Sequence, residues 1–266
     1  MRNINYINGI EGIVVGGTAT ANVPINRRYH SLKVIVSEAL SALAVDVVSK
    51  VRLYVNGQIM RDLTPAQYIA IASLNGITAS TGEIPIFFSE PWRATVLGEE
   101  ATSWDLFEQT KCTLEITFKT GINSPQCKVL ASYDYGRNVS GNTNFLSIIK
   151  QLVQTYNAPS GQYDLVTIPV SNPLQRIHLS ASTGTITNVD VYRDNEKVHE
   201  GSDVQNSMFL KDYKLVGTAF TYPIVFDYEQ QISSPLVVGK DLLVRPTLSA
   251  ANTLTVLIES RANGYN

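Results

Sequence analysis

The sequence reads as an all-β protein built from two β-sandwiches in tandem, and three observations carry that reading. Runs rich in β-branched and aromatic residues recur along the whole chain, many of them alternating in polarity. Turn-forming Gly, Asn, Asp and Pro separate the runs, as at Asn56-Gly57 and Asn75-Gly76. The order of the runs in the first half then returns in the second. Such spacing suits antiparallel sandwiches rather than alternating β and α units. At this size it predicts two tandem jelly rolls, each an eight-stranded β-sandwich with short helices.

Strand-forming runs fall at 21–25, 32–36, 51–55, 84–88 and 112–119 in the first half. In the second they fall at 165–170, 177–181, 189–192, 222–228, 242–246 and 253–260. In Thr113-Leu114-Glu115-Ile116-Thr117-Phe118 the three apolar side chains share one face. Three helices are expected. One covers 65–74, with Thr64 as N-cap, Pro65 at the first helical position and Asn75-Gly76 as the stop. A second covers 202–215, with Ser202 as the cap. The third covers 145–156, where Phe145, Ile148, Ile149, Leu152, Val153 and Tyr156 form a helical stripe. The preceding segment, 135–142, reads as the linker. The expected domains are therefore residues 1–138 and 139–266, the second opened by helix 145–156.

The repeat is legible as matched runs. Pro24 and Pro169 sit in strands near the start of each half, an offset of 145, and Leu32 and Ile177 repeat that offset. Tyr54 and Tyr192 lie 138 apart, as do Pro85 and Pro223. Between these pairs comes a helix in each half. The run Thr113–Phe118 is matched with 253–258 at an offset of 140. Loop lengths change between matched strands, which a duplicated fold tolerates well.

Composition bounds the function. Of 266 residues, 44% are hydrophobic and 17% charged, the balance of a packed globular chain. The net charge of -2, without a basic tail, argues against a protein that wraps nucleic acid. Met1 to Gly17 carries Arg2 and Glu11 and does not read as a signal peptide, and no apolar stretch reaches the length of a membrane helix. Cys112, in a strand, and Cys127, in an expected loop, read as free thiols of a protein made in a reducing cytosol. The sequon Asn138-Val139-Ser140 is then idle.

Catalytic patterns are absent from the sequence: no Gly-x-Ser-x-Gly, no His-Glu-x-x-His, no paired Cys-x-x-Cys and no phosphate-binding glycine loop. The three histidines, His30, His178 and His199, read as ordinary strand residues. Asp190, Asp194 and Glu196 offer oxygen ligands of the kind calcium takes. Arg193 and Lys197 intrude there and no glycine marks the bend, so a solvated hairpin tip is the competing and favoured reading. Glu99-Glu100 is read the same way. Trp92 and Trp104 are open to two readings, an exposed contact or sugar-binding platform and, the favoured one, caps on a sandwich core. Arg27 and Arg28 are open to two readings, a surface turned to anionic lipid headgroups or a solvated loop.

The opening Met1-Arg2-Asn3-Ile4-Asn5-Tyr6-Ile7-Asn8-Gly9-Ile10 resembles that of corticovirus-type major capsid proteins. So does the pairing of Asn26-Arg27-Arg28-Tyr29-His30 with Val51-Arg52-Leu53-Tyr54-Val55-Asn56-Gly57, and the tandem layout extends the resemblance over most of the chain. The resemblance implies a double jelly roll that forms homotrimers. Two sandwiches per chain give a six-sided tile of an icosahedral shell over the internal membrane of a tailless bacteriophage. It also implies penton or minor capsid proteins as partners, calcium as a structural ion without any cofactor, and residence in the virion after synthesis in the host cytoplasm. No specific nucleic acid is implied, and no catalysis. The alternative is a carbohydrate- or receptor-binding β-sandwich protein, a phage spike or adhesin module, since jelly rolls serve that role widely.

Overall fold

The computed structural model describes residues 1–37, 43–93, 95–136, 147–217, 222–227 and 235–265. The chain divides into two units. Unit 1 comprises Met1–Ser73, Ile77–Ile149 and Asn263–Asn266, and unit 2 comprises Leu74–Gly76 and Lys150–Ala262. The expected boundary at 138/139 and the sequon at Asn138 lie outside the described residues.

The first half carries β1 (Asn3–Ile7), β2 (Thr18–Val23), β3 (Arg28–Ser37), α1 (Ala44–Val47), β4 (Val48–Val55), β5 (Gln58–Leu63) and α2 (Pro65–Leu74). It continues with β6 (Glu83–Phe87), α3 (Val96–Glu100), the two-residue β7 (Trp104–Asp105), β8 (Cys112–Phe118) and β9 (Gln126–Asp134). These strands form two antiparallel sheets, in the orders β1-β9-β3-β6 and β2-β8-β4-β5, with β7 attached to β3. Leaving β7 aside, each sheet interleaves early and late strands, which is the crossing pattern of a jelly roll. The alternation read in 113–118 holds: Leu114, Ile116 and Phe118 of β8 are buried, beside Leu32 and Val34 of β3 and Val51 and Leu53 of β4.

The second half carries β10 (Ser147–Ala158), β11 (Gly161–Gln162), β12 (Leu174–Ala181), β13 (Ile186–Arg193), β14 (Glu196–Ser202) and α4 (Asp203–Asp212). The last strands are β15 (Tyr222–Val225), β16 (Leu242–Leu248) and β17 (Asn252–Asn263). Their sheets are ordered β10-β17-β12-β15 and β11-β16-β13-β14, the same path strand for strand. Ile177, Leu179, Val189, Val191, Ile224, Val244, Val256 and Ile258 form the core of this sandwich.

The duplication extends to irregularities in the ladders. The β3–β9 pairing slips between Tyr29 and Ser31, and β12–β17 slips between Leu174 and Arg176, the same place at the offset of 145. The β4–β5 ladder slips between Leu53 and Tyr54, and β13–β14 between Val191 and Tyr192, at the offset of 138. The β4–β8 ladder slips between Val48 and Lys50, and β13–β16 between Ile186 and Asn188, again 138 apart. A bulge needs one extra residue at one rung, so three coincident bulges mark one ancestral ladder used twice.

Four expectations are corrected. The segment 145–156 is not helical in its described part: from Ser147 it is the edge strand β10, paired with β17. Ile148, Ile149, Val153, Thr155 and Tyr156 favour a strand, and a short apolar run at helical spacing cannot separate the two. Residues 165–170 contribute only a bridge, Leu165 to Val244, rather than a strand. Register shows that β8 corresponds to β16 and β9 to β17, so the match of 113–118 with 253–258 joined strands of different sheets. Finally, Cys127 lies in β9, not in a loop. Both cysteines are free thiols, and burial pushes each up to about 12.

Candidate functional site

The two hairpin tips form one motif made twice. Asn56 and Gly57 join β4 to β5 with φ of 51° and 83°, and Asp194 and Asn195 join β13 to β14 with φ of 50° and 69°. Asn and Asp reach this left-handed region at low cost, so the second tip needs no glycine. Asn56 N–H donates to the Lys111 carbonyl, and its Oδ1 accepts from the N–H groups of Thr110 and Lys111. Asp194 N–H likewise donates to the Asp241 carbonyl, and its carboxylate accepts from the N–H groups of Gly239, Lys240 and Asp241 at 3.0, 2.7 and 2.9 Å. Those bonds, from Asp241 foremost, lower the Asp194 pKa.

The structure therefore distributes the proposed calcium ligands rather than clustering them. Asp194 clips the loop before β16, Glu196 pairs with Arg193 at 2.8 Å, and Asp190 accepts from Asn188 at 3.2 Å with Lys197 3.7 Å away. Asn56 does similar work through Oδ1 alone, so Asp194→Asn, which loses the acceptor for Gly239 N–H, is expected to melt a little below the wild type and Asp194→Ala further below. Circular dichroism melts check this. A calcium-dependent rise in melting temperature that Asp194→Asn abolishes would contradict it.

A second cluster gathers at the paired ends of β3 and β9. Arg28 donates through Nε and Nη2 to both oxygens of Asp134, at 2.9 and 2.7 Å, and its Nη2 lies 3.0 Å from Glu100. His30 Nε2 meets Asp134 Oδ2 at 3.0 Å, and Gly136 N–H donates to Oδ1. Arg2 adds contacts to Glu99 and Glu100. Burial alone would raise the Asp134 carboxyl, yet the bonds from Arg28, His30 and Gly136 hold it well below the usual carboxylate range. Burial lowers His30 more than Asp134 raises it, so its neutral ring donates from Nε2. Among the described residues, His30, Glu100 and Asp134 are the group close enough to share a metal ion. Arg28 already puts a cation between the two carboxylates, so the set is satisfied as an ion network.

This settles where the remaining singled-out residues lie. Arg28 is committed to that network, and Arg27 stacks over Tyr133 with its guanidinium 4.3 Å from the ring centroid. Glu99 and Glu100 answer Arg2 and Arg28 rather than a solvated tip. Trp104 is buried against Phe88, with centroids 4.3 Å apart, and Trp92 meets Phe87 edge-on. On either side of Trp92 in the chain, Glu90 and Arg93 make a buried bidentate pair at 2.7 and 2.8 Å. His30 and His178 lie on the corresponding strands β3 and β12, but at different rungs.

In unit 2, β12 is buried along both faces. His178 Nε2 meets Glu259 Oε1 at 2.7 Å, Gln151 donates to Glu259 Oε2 at 3.3 Å, and Arg176 pairs with Asp227 at 3.4 Å. Burial would raise Glu259, but the bond from His178, with Arg176 and Gln151, brings it down to about 2. Sequence reasoning missed both ion networks, because their central pairs, His178–Glu259 and Arg28–Asp134, are 81 and 106 residues apart and meet only through register.

Both units are matched by family models. The viral coat protein P2 N-terminal domain matches residues 4–134, and the viral coat protein P2 C-terminal domain matches residues 148–263. No curated protein sequence matches the chain. Among solved structures, the major capsid protein P2 from bacteriophage PM2 aligns with a TM-score of 0.88 at 16% identity, over 100% of this chain and 99% of that one. The atomic structure of Sulfolobus Turreted Icosahedral Virus gives 0.69 at 9% identity, over 99% and 91%. The PBCV-1 virus capsid gives 0.60 at 11%, over 98% and 94%. At such identities the likeness speaks for the fold. Two jelly rolls in tandem, repeated to the bulge, define a double jelly-roll coat protein of the virion. The chain belongs to the P2 viral coat protein family.

Proposed function

We propose that the chain is the major capsid protein of its virus and that it assembles as a homotrimer. The observation that carries this is the repeated ladder. Two sandwiches of one design in each chain become six in a trimer, so three subunits present nearly six-fold edges to their neighbours. Such tiles pack on an icosahedral lattice, and the capsids of PM2, Sulfolobus Turreted Icosahedral Virus and PBCV-1 share the fold. The near-neutral charge of -2 lets copies approach closely.

The role is structural, without turnover, and the shell encloses a membrane, with penton and minor proteins closing it. Calcium is the structural ion of this reading, stabilising contacts between copies. Arg27 is the better placed of the two arginines for a lipid surface, because Arg28 is spent on Asp134. The family assignment does not favour the sugar- or receptor-binding reading. The test is the mass of the purified full chain by light scattering during size exclusion, with and without calcium. A species three times 29.2 kDa is expected. A monomer at every concentration under both conditions would overturn the proposal.

A further inference from the structure

Helices α2 and α4 hold the same station in the two units, each following the fifth strand of its sandwich. Their first turns are also built alike. Thr64 and Gln67 exchange side-chain and backbone hydrogen bonds at the start of α2, and Ser202 and Gln205 do so at the start of α4, 138 residues on. The faces they bury then diverge. In α2, Tyr68 and Ile71 are buried. In α4 the place of Tyr68 is taken by Asn206, buried with its Nδ2 donating to the Pro223 carbonyl at 2.7 Å. Val204, Met208 and Phe209 stand 63, 62 and 58% exposed, and Tyr213, just past the helix end, 42%.

A surface helix ordinarily turns apolar residues inward and polar ones to water. Here only Asn206 and Leu210 are buried, while Val204, Met208 and Phe209 stand outside. Single exposed apolar residues need no explanation, but three on one ten-residue helix with a fourth just past its end are a concentration that does. We propose that this face of α4 is a contact surface for a second copy of the same chain, a proposal that rests on the coat-protein reading above. The rim supports a protein partner of near-neutral charge. Asp203, Asp212, Lys211 and Lys214 are exposed on and just past the same helix and cancel one another. A helix lying on anionic lipid would instead carry an excess of Lys and Arg on its polar side. Four side chains also supply only part of the roughly 800 Å² per partner that a stable interface buries, so they act as its anchor. In a closed trimer each contact is heterologous, and the α4 face meets a different surface of the next copy rather than itself. Blocking it therefore removes all three contacts together.

The test uses the full chain carrying Met208→Lys with Phe209→Lys, weighed by light scattering beside the wild type. A trimeric wild type and a folded, monomeric double variant is the expected pair of results. Both positions are exposed, so the circular dichroism spectrum should not change. Should the lysine variant lose its fold, the milder Met208→Ser with Phe209→Ser is read instead. It should raise the concentration at which trimers dissociate by about tenfold or more. A trimeric wild type with an unweakened folded variant overturns the α4 surface and leaves the coat-protein reading standing. A wild type that is monomeric throughout overturns both.

Discussion

Replacing Glu259 by alanine is expected to cost unit 2 about 3–5 kcal/mol, because it strips the buried His178 and Gln151 of the carboxylate they share. Glu259 is 3% exposed and takes hydrogen bonds from His178 and Gln151, with Arg176 close by. The side chain that remains at 259 could accept from neither His178 nor Gln151. Glu259→Gln keeps an acceptor and loses the charge, and about 2 kcal/mol is expected. The effect should depend on pH. Glu259 titrates at about 2 in the fold, against an ordinary glutamate near 4.3. A carboxyl whose pKa is lowered by folding stabilises fully above its unfolded value, and that contribution is lost as pH falls toward the folded one. The gap between wild type and Glu259→Gln should thus be full above pH of about 5 and close between about 4 and 2. Urea unfolding followed by far-ultraviolet circular dichroism measures it. A Glu259→Ala variant within 1 kcal/mol of wild type at neutral pH would show that the network is not holding the sheet.

Trp104→Ala is expected to be as severe in unit 1, at about 3–5 kcal/mol. Its ring is 1% exposed, stacks on Phe88 at 4.3 Å, meets Tyr265 edge-on at 5.6 Å and lies 5.2 Å from the Arg61 guanidinium. Tyr265 in turn donates to the Asp105 carbonyl at 3.2 Å, which ties the last residues of the chain to unit 1. Deleting the indole opens a cavity among rings that cannot collapse onto one another without leaving their partners. Trp92, the other tryptophan, also belongs to unit 1 and reports the transition by fluorescence. A loss below 1 kcal/mol would mean the site collapses freely.

Much of the architecture was legible because it rests on local patterns. Period-two alternation located β8, the Asn56-Gly57 dipeptide located the turn that ends β4, and Thr64-Pro65 located the start of α2, whereas β5 was not read. The tandem repeat followed from fixed offsets between prolines and tyrosines. What failed was local too weakly or not local at all. The stripe in 145–156 suits either period, and only pairing with β17 decides for a strand. The closing strands look alike in every sandwich, so the pairing of 113–118 with 253–258 chose by appearance where register was needed. The Arg28–Asp134 and His178–Glu259 pairs have no signature at short range. The inverted face of α4, by contrast, was visible in principle: Asn206 falls where its counterpart carries Tyr68, while Met208 and Phe209 stand where α2 has Ala70 and Ile71.

The proposed homotrimer holds six sandwiches of one design, two from each chain. Electron microscopy of the purified oligomer, viewed down its axis, tests it most directly. Six lobes of near-equal size arranged with three-fold symmetry are expected, and two-lobed or four-lobed particles would contradict the account.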